Sequence, residues 1–507
     1  MLHLTRRLEM TGIMANLALM SYFINAYGGY GNEGRFWRSC EPFGDIYLAG
    51  TTEGYGAGES DLMLVKTDSL GRFWWARTYG TTLTDELTRM EEVMFGFLAV
   101  GYTACVPFPN YPYDMLILKI SAGGAPIWAK AIGGNGLDVA TGAIWLGNYL
   151  VSGYFEDNNH GYYPVLVCLD RDSGDVLWAK GYFGPGGEAF LASSYLTDGG
   201  YAFTGITGSM GKSITIVAKT DNAGNLLWAK SYEFGEATRP RYMDGSSGGW
   251  LMVMGEVYGV EGGTGLFGFQ LDQDGNVLSS KIVESDRSLH MGSVYGPEYV
   301  LTGSYGDDFM VARVDMGMNP VWAKVFPYEG NQYPGGIYCP SSSNILAAGV
   351  TETLDRGLDF FLAYLGPEGD LEGCTEEIRL TARDETPTVA DFPLIQEDIF
   401  PIVTDLQIYT MDVFFDPVEM CPTGVDEKAP GPPMSLSYSK GILYLGLGRG
   451  GFVSVSVYDP TGRLIQRVFA GEMEKGEHEF NLSLKTRGVF LVTVCAPEGT
   501  RTLRIIR

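Results

Sequence analysis

The stretch Asn225–Gly235, "NLLWAKSYEFG", recurs along the chain with small variations. Related stretches read "RFWWARTYG", "APIWAKAIGG", "DVLWAKGYFG" and "NPVWAKVFPYEG". The steps between their tryptophans are 53, 50, 50 and 94 residues, and the long step leaves room for one more copy, "DQDGNVLSSKIVES", with Ser279 in the Trp position. The tryptophans are Trp75, Trp128, Trp178, Trp228 and Trp322.

A second marker repeats with the same period. Apolar runs such as "FLAVGYT" and "YAFTGIT" each contain one glycine near their end, and the steps between these glycines are 51, 52, 52, 50, 48 and 46 residues. Seven copies at a period near 50 residues predict a propeller or a solenoid. The glycines are Gly50, Gly101, Gly153, Gly205, Gly255, Gly303 and Gly349.

Each copy contains four short β-rich runs separated by Gly, Asp and Asn clusters, which is the pattern of hairpin strands. No amphipathic helix interrupts the copies, so a helical solenoid is disfavoured. We therefore predict an all-β fold with a seven-bladed β-propeller, in which each four-stranded blade packs between its neighbours. In this arrangement Trp228 fills space between blades and Lys230 lays its stem along the sheet, so we interpret both as structural residues.

Composition limits the function. The 507 residues carry 35 Lys and Arg against 61 Asp and Glu, a formal net charge of −26, which disfavours a nucleic-acid partner because phosphates would be repelled. At the N-terminus, Arg6 and Arg7 precede a mostly apolar run, which predicts a signal peptide over residues 1–26 with cleavage after Ala26. An ordinary N-terminal helix is the alternative. No other stretch is long and apolar enough to cross a bilayer.

Few motifs carry chemistry. "GSMGKS" at 208–213 lacks the first glycine of a phosphate-binding loop, since Ile206 stands there. The four histidines share no local pattern with a nucleophile or a zinc ligand set, so we expect no cofactor. "DRDSGD" offers three carboxylates, Asp170, Asp172 and Asp175, as weak Ca²⁺ candidates, although the loop lacks the length and the closing Glu of the standard site.

The units of the repeat, "TDGGYAFTGIT…ITIVAKTDNAGNLLWAKSYEFG" in the fourth copy, resemble the tandem repeats of secreted bacterial and archaeal propeller proteins. The resemblance covers residues 28–373 and implies a secreted or cell-surface propeller whose ligand is unknown. The spacing G-x-x-x-W is also similar to quinoprotein dehydrogenases. Those enzymes have eight blades, a quinone cofactor and often a pair of adjacent cysteines. This sequence has seven copies of the repeat and no two adjacent cysteines.

The C-terminal region follows a Pro/Gly-rich linker, "EKAPGPPMS". Alternating strands with "YDPTGR" and "KGEH" turns predict a small immunoglobulin-like β-sandwich over 433–507. Its pattern resembles the type A sorting domain of the type IX secretion system, which implies export and contact with secretion machinery; a plain accessory module is the alternative. The motif residues are Tyr458, Asp459, Gly462, Arg463, Gly488 and Phe490.

Between the two units, residues 374–432 form an acidic, proline-punctuated segment followed by the linker. Its recurring Phe, Ile and Leu predict a strap that packs on the propeller, with Cys374 and Cys421 joined as a disulfide. Cys40 and Cys339 occupy equivalent places in the first and last copies, where we favour two buried thiols over a bond. The remaining cysteines, predicted to be small buried residues, are Cys105, Cys168 and Cys495.

The sequence thus predicts an exported or surface propeller that binds or displays rather than catalyses. The expected partner is an extracellular glycan or protein, met by loops at one end of the ring. The alternative is an extracellular hydrolase or lyase with carboxylates in the channel loops, for which raised pKa values of convergent acids would be the sign.

Overall fold

A computed structural model describes residues 22–506 of the 507-residue chain, except 29–31, 41–44, 105–112, 197, 209–211, 246–248, 261–262, 285–288, 296–297, 329, 342–343, 353–356, 372, 416, 421–434, 440, 448–449, 459–463, 483–488 and 497–498. Every helix or strand assigned in these residues is a β-strand. The described part of the chain contains no helix that could span a membrane.

One short strand, β1 (Phe23–Tyr27), precedes the repeats, and each repeat then supplies an antiparallel sheet. Sheet 1 contains β2 (Glu33–Cys40), β3 (Ile46–Thr52), β4 (Asp61–Thr67) and β5 (Phe73–Gly80). Sheet 2 contains β6 (Asp85–Val93), β7 (Gly96–Ala104), β8 (Tyr113–Ser121) and β9 (Pro126–Gly133). Sheet 3 contains β10 (Val139–Leu146), β11 (Asn148–Asp157), β12 (Gly161–Leu169) and β13 (Val176–Phe183). Sheet 4 contains β14 (Ala189–Tyr195), β15 (Tyr201–Thr207), β16 (Ile214–Thr220) and β17 (Leu226–Glu233).

The remaining repeats follow the same plan. Sheet 5 contains β18 (Ala237–Asp244), β19 (Leu251–Val260), β20 (Gly263–Leu271) and β21 (Val277–Glu284). Sheet 6 contains β22 (Leu289–Tyr295), β23 (Glu298–Tyr305), β24 (Asp308–Asp315) and β25 (Pro320–Phe326). Sheet 7 contains β26 (Gln332–Ser341), β27 (Asn344–Thr351) and β28 (Asp359–Leu365), and it takes β1 as its fourth strand.

The first strands of the seven sheets form a closed ring. Each of them contacts the first strand of the next sheet, and β26 of sheet 7 contacts β2 of sheet 1. The fourth strands lie at the outside of the sheets, and the apolar clusters lie between neighbouring sheets. The fold is therefore a propeller-like ring of antiparallel sheets around an axis lined by the first strands.

The N-terminal strand closes the ring and corrects one predicted boundary. β1 pairs with β28, with Ala26 opposite Phe361, and both Ile24 and Ala26 are buried. Cleavage after Ala26 is not compatible with this arrangement, because it would remove four of the five residues of a strand that completes sheet 7. Residues 1–21 lie outside the described residues, so the signal peptide itself stays a prediction.

The strap is a continuous belt, defined here as residues 376–419. Its seven strands are β29 (Glu376–Ile378), β30 (Thr381–Asp384), β31 (Thr388–Asp391), β32 (Ile395–Asp398), β33 (Ile402–Asp405), β34 (Tyr409–Val413) and β35 (Val418–Glu419). They add a fifth, antiparallel strand to sheets 6, 5, 4, 3, 2, 1 and 7, in that order. The belt therefore runs once around the ring against the direction of the repeats, and it covers the outer edges that would otherwise be open to pairing with other chains.

The belt places an acid opposite the same position of every sheet. An acid recurs every seven residues and lies opposite the fifth residue of the "LLWAK" stretch: Lys130 pairs with Asp405 at 2.6 Å and Lys180 with Asp398 at 2.7 Å. The acids are Glu377, Asp384, Asp391, Asp398, Asp405, Asp412 and Glu419. This seven-residue spacing was a readable sequence signal that the prediction of a strap did not use, and it shows one belt unit per sheet.

The repeated tryptophans pack across the boundaries between sheets. The indole of Trp228 lies against Gly275 in the β20–β21 turn of the next sheet, so close that a Cβ there would collide with it. Its Nε1 donates to the carbonyl of Gln273 at 2.9 Å, and the hydroxyl of Tyr232 donates to the carbonyl of Gly275 at 2.7 Å. Trp75, Trp128, Trp178 and Trp322 repeat the glycine contact at Gly124, Gly174, Gly224 and Gly369. Phe23 takes the same place against Gly71 at the closing boundary.

At the boundary between sheets 5 and 6, a side chain from the turn of sheet 6 fills the space that an aromatic ring fills elsewhere. Sheet 5 has Ser279 in the Trp position, and the facing turn of sheet 6 has Met318 where the other turns have glycine. Met318 keeps the glycine-like φ of +64°, is almost fully buried, and packs against Gly268 of sheet 5. The missing indole is thus replaced by a methionine, a flexible side chain suited to irregular gaps.

The repeated strand glycines have a steric cause. Each lies in the second strand of its sheet, opposite a bulge in the first strand. A Cβ on Gly101 would overlap the carbonyl oxygen of Glu86, and one on Gly205 would overlap that of Ala189. Gly153, Gly255 and Gly349 face first-strand carbonyls in the same way. A residue without a side chain is therefore needed wherever the bulge brings the two backbones together.

The C-terminal region forms a separate pair of sheets. One contains β36 (Ser435–Ser439), β37 (Ile442–Leu447) and β40 (Gly476–Asn481). The other contains β38 (Gly451–Tyr458), β39 (Leu464–Met473), β41 (Val489–Ala496) and β42 (Gly499–Ile506). Both sheets contribute to one apolar core that includes Leu443, Val455 and Val492, as expected for a small β-sandwich.

Candidate functional site

The ring has two different ends because its strands are antiparallel. The Asp-x-x-Gly turns and the contacting tryptophans lie where third strands end and fourth strands begin, an end that we call the turn end. Second strands end, and first and third strands begin, at the other end. We call its axial part, built from sheets 2, 3 and 5, the channel mouth. Its residues are Tyr102, Tyr154, Tyr162, Arg239, Arg241, Glu256 and Tyr258.

Sheet 5 supplies the charged part of the channel mouth. Arg239 and Arg241 lie near the start of β18, and Glu256 is opposite Arg239 in the register with β19. The carboxylate of Glu256 is almost fully buried, accepts from the Tyr258 hydroxyl at 2.8 Å, and lies 3.3 Å from Arg241 Nη2. A buried carboxylate thus sits between a phenol and a guanidinium, both of which stabilise its charge.

Sheet 3 supplies the aromatic part. Tyr154 and Tyr162 lie on paired strands with their rings edge to face, 5.6 Å apart, and Tyr102 and Tyr113 of sheet 2 form a similar pair at 5.1 Å. These rings are accessible or half-buried rather than part of the core. Edge-to-face pairing holds the rings in fixed positions, which leaves their remaining faces as preformed contact surfaces.

The two parts are close enough to influence each other's charges. Burial raises the pKa of Tyr154 to about 12, and the positive charge of Arg239 partly opposes this rise. Arg239 reaches solvent, but neighbouring residues crowd its guanidinium group. This partial loss of hydration lowers the pKa of Arg239, and the like charge of Arg241 lowers it further. Residues of sheets 3 and 5 therefore act on one another although sheet 4 separates them along the chain.

A sequence signal for the mouth existed but needed the ring to interpret it. The residue after each repeated glycine differs from copy to copy: Tyr102, Tyr154 and Glu256 stand where other copies have small or aliphatic residues. The other copies have Thr51, Ile206, Ser304 and Val350. Only ring closure brings these unequal positions to the same end of the molecule.

Raised pKa values do occur, but at the boundaries between sheets. Burial raises the pKa of Asp61 to about 6, with a contribution from the neighbouring Asp85, and burial raises the pKa of Asp138 to about 6. These side chains are fully buried, and backbone N–H groups bind them: Gly58 donates to Asp61 at 3.0 Å and Gly134 to Asp138 at 2.6 Å. They are closed to a substrate, so we interpret them as structural acids.

The weak Ca²⁺ candidates occupy a hairpin turn. Asp170 Oδ1 accepts from the N–H groups of Asp172 and Ser173 at 3.0 and 2.9 Å, while Asp175 pairs with Lys130 at 3.2 Å. The three carboxylates thus serve different partners. In the described part of the chain no three His, Cys, Asp or Glu side chains come together as a metal-binding group.

The cysteines and the sorting motif are only partly visible. Cys374 is disulfide-bonded, and Cys421, its predicted partner, lies outside the described residues, so their pairing stays a prediction. Cys168 and Cys339 form no disulfide, and both are half-buried rather than buried as predicted. In the sandwich, Phe490 is buried and Tyr458 lies in β38; the other four motif positions fall outside the described residues.

Comparisons with known proteins give distant likenesses in fold. No protein-family model matches the chain, and no curated protein sequence does. The chain is similar to three solved β-propeller proteins. A Synechocystis apocarotenoid oxygenase mutant has a TM-score of 0.40 and 10% identity, covering 74% of this chain and 96% of that one. A Bacillus subtilis arabinanase has 0.25 and 11%, covering 67% and 96%, and a Bacillus halodurans xylan β-1,4-xylosidase has 0.26 and 11%, covering 73% and 91%. Likenesses this distant support no inference about activity.

Proposed function

We propose that the seven sheets are the blades of a seven-bladed β-propeller that binds a saccharide at its channel mouth. The observation that carries this proposal is that one end of the ring holds both the paired rings of Tyr154 and Tyr162 and the cluster of Arg241, Glu256 and Tyr258. Accessible tyrosine rings offer flat apolar faces with a polar tip, and Glu256 and the arginines offer hydrogen bonds at their side. A concave, partly aromatic site with a few fixed polar groups is the usual form of a small-ligand site.

Calorimetric titration of oligosaccharides, chosen from a glycan array, tests the proposal. Tyr154→Ala should weaken binding at least tenfold, because it removes a contact face, whereas Tyr154→Phe should keep most of the affinity. Tyr195→Ala is the control, since Tyr195 is ring-paired like Tyr154 and 36% exposed but lies at the turn end. Equal affinities of the Tyr154→Ala and Tyr195→Ala variants would contradict the assignment.

Hydrolysis at the same site is the second candidate function, favoured by the single buried carboxylate of Glu256 beside a phenol. Glycosidases of the usual kind need two carboxyl groups, about 5 Å apart or about 6.5–9.5 Å apart. Glu256 is almost fully buried and is already bound by Arg241 and Tyr258, so its carboxylate is not free to act on a substrate. We therefore propose saccharide binding as the first candidate. If the wild type released hydrolysis products from an oligosaccharide and Glu256→Gln abolished this release, catalysis would be established instead.

Export is the remaining part of the proposal. We propose that a leader within residues 1–21 directs secretion and that the C-terminal sandwich serves as a sorting-type domain. The belt would then be held by a Cys374–Cys421 bond in an oxidising compartment. Cys374 packs in one cluster with Met420, the neighbour of Cys421, which supports this pairing. Cell fractionation with mapping of both mature termini tests these points together.

A further inference from the structure

Two guanidinium groups lie beside a single buried carboxylate in sheet 5 of a strongly acidic protein. Arg239 and Arg241 share one carboxylate, that of Glu256, and this carboxylate is committed to Arg241 and Tyr258. In the part of the chain that the structure describes, Arg239 makes no salt bridge or hydrogen bond. The whole chain carries a formal charge of −26, so two guanidinium groups beside one carboxylate are a local exception.

A second, independent feature points to a missing partner. The Nε of Arg241 is buried and has no hydrogen-bond acceptor. A buried guanidinium donor without an acceptor is costly, and an anion that supplies the acceptor would remove this cost. Two adjacent guanidinium groups with unused donors match the forked geometry with which arginine binds carboxylates.

Aromatic rings frame this donor pair. Tyr258, more than a third exposed, lies on the strand next to β18, and Tyr154 approaches Arg239 from sheet 3. An anion bound by Arg239 would therefore sit beside ring faces that can contact the body of its carrier. A free inorganic ion would use the arginines but not these rings.

We propose that Arg239 and Arg241 bind the carboxylate of a uronic acid, so that the ligand is an acidic rather than a neutral saccharide. This inference rests on the proposed function. The carboxylate accepts from Arg239 and, after a small rotation of the Arg241 side chain, from Arg241 Nε, while the sugar ring contacts Tyr154 or Tyr258. Specificity follows because a neutral sugar leaves the two guanidinium groups without an acceptor.

The test compares trigalacturonate with neutral galactotriose by calorimetric titration against the full chain. We expect the wild type to bind the acid at least tenfold more tightly, with a preference that shrinks as salt rises. Arg239→Gln should lose this preference and keep its affinity for the neutral sugar, and Arg239→Lys should retain part of it. Arg72→Gln, which removes an exposed arginine at the turn end, is the control.

The outcomes separate the two proposals. Equal affinity for both sugars, with Tyr154→Ala still weakening both, would overturn the uronate site and leave saccharide binding intact. Failure of both sugars and of the wider glycan array would overturn saccharide binding itself and the uronate site with it. Trigalacturonate affinity that is equal in Arg239→Gln and Arg72→Gln would also overturn the inference. Tighter binding of an acidic peptide than of trigalacturonate at the channel mouth would overturn the inference as well. Unchanged thermal melting of each variant shows that loss of fold is not the cause.

Discussion

The two ends of the ring are built by opposite rules. At the turn end, nearly every boundary repeats one contact between an aromatic side chain and a turn glycine, as Trp228 and Gly275 do. At the channel mouth, equivalent positions hold different residues, such as Tyr154 in sheet 3 and Glu256 in sheet 5. The comparison indicates that the residues repeated from copy to copy are those that hold neighbouring sheets together. Departure from the repeat marks either a local repair, as at Met318, or a site.

The largest effect on stability should follow from removing a repeated tryptophan. Trp228→Ala should lower the free energy of unfolding by about 3 kcal/mol, because the indole is half-buried against the next sheet and its N–H loses a carbonyl. Urea titration measures the change. Trp74→Ala is the control, since Trp74 is 54% exposed, and it should cost less than about 1 kcal/mol. Equal costs for the two variants would refute the packing role.

The repaired boundary offers a sharper test. Met318→Gly should cost about 2 kcal/mol: it deletes a buried side chain but relieves a positive φ. Adding Ser279→Trp should recover most of that loss, because the indole can then occupy the space as it does at Gly275. Thermal and urea unfolding of both single variants and the double variant form the cycle. Additive effects would show that the two positions do not share one space.

The buried acids should make stability fall as pH rises. Since the folded-state pKa of Asp61 and of Asp138 is about 6 against an ordinary value of 3.8, the folded protein binds more protons than the unfolded chain between these values. The free energy of unfolding should decrease across pH 4 to 6, by about 2 kcal/mol for each acid. Asp138→Asn should flatten this slope, and Asp170→Asn, which alters an exposed turn acid, should not. A slope unaffected by Asp138→Asn would contradict the assignment.

The smallest effect should come from the belt charges. Asp405→Asn should cost up to about 1 kcal/mol, because it leaves the largely buried Lys130 without its closest partner. Asp391→Asn is the matched control: Asp391 lies opposite Lys230, whose amino group bonds instead to the Asp274 carbonyl at 2.7 Å. It should cost less than Asp405→Asn in the same urea titration. The reverse order would show that the charges do not set the register.

The repeated part of the molecule could be predicted from the sequence alone. The 50-residue period, the strands, the Asp-x-x-Gly turns and the strap are readable because each has a local pattern. The role of β1 was missed because "FINAY" shares only an aromatic at each end with "WAKSY", and because its charged N-terminal flank suggested a leader. The seven-residue acid spacing was present but was interpreted only as a strap.

The candidate site could not be reached in the same way. Arg239 and Tyr154 are 85 residues apart in sequence, and their strands belong to different repeats. They meet only because seven sheets close into a ring, so no local pattern could pair them. What sequence does offer is the list of positions that depart from the repeat, and the ring then shows which of them lie together at one end.

The central claim is tested most directly by measuring trigalacturonate binding to three proteins: the wild type, Tyr154→Ala and Trp228→Ala. The measurement uses a temperature at which Trp228→Ala remains folded. The account predicts that Tyr154→Ala loses affinity at least tenfold with its melting temperature unchanged. It also predicts that Trp228→Ala melts earlier and binds as well as the wild type. Loss of binding in Trp228→Ala with full binding in Tyr154→Ala would place the site at the turn end and contradict the account.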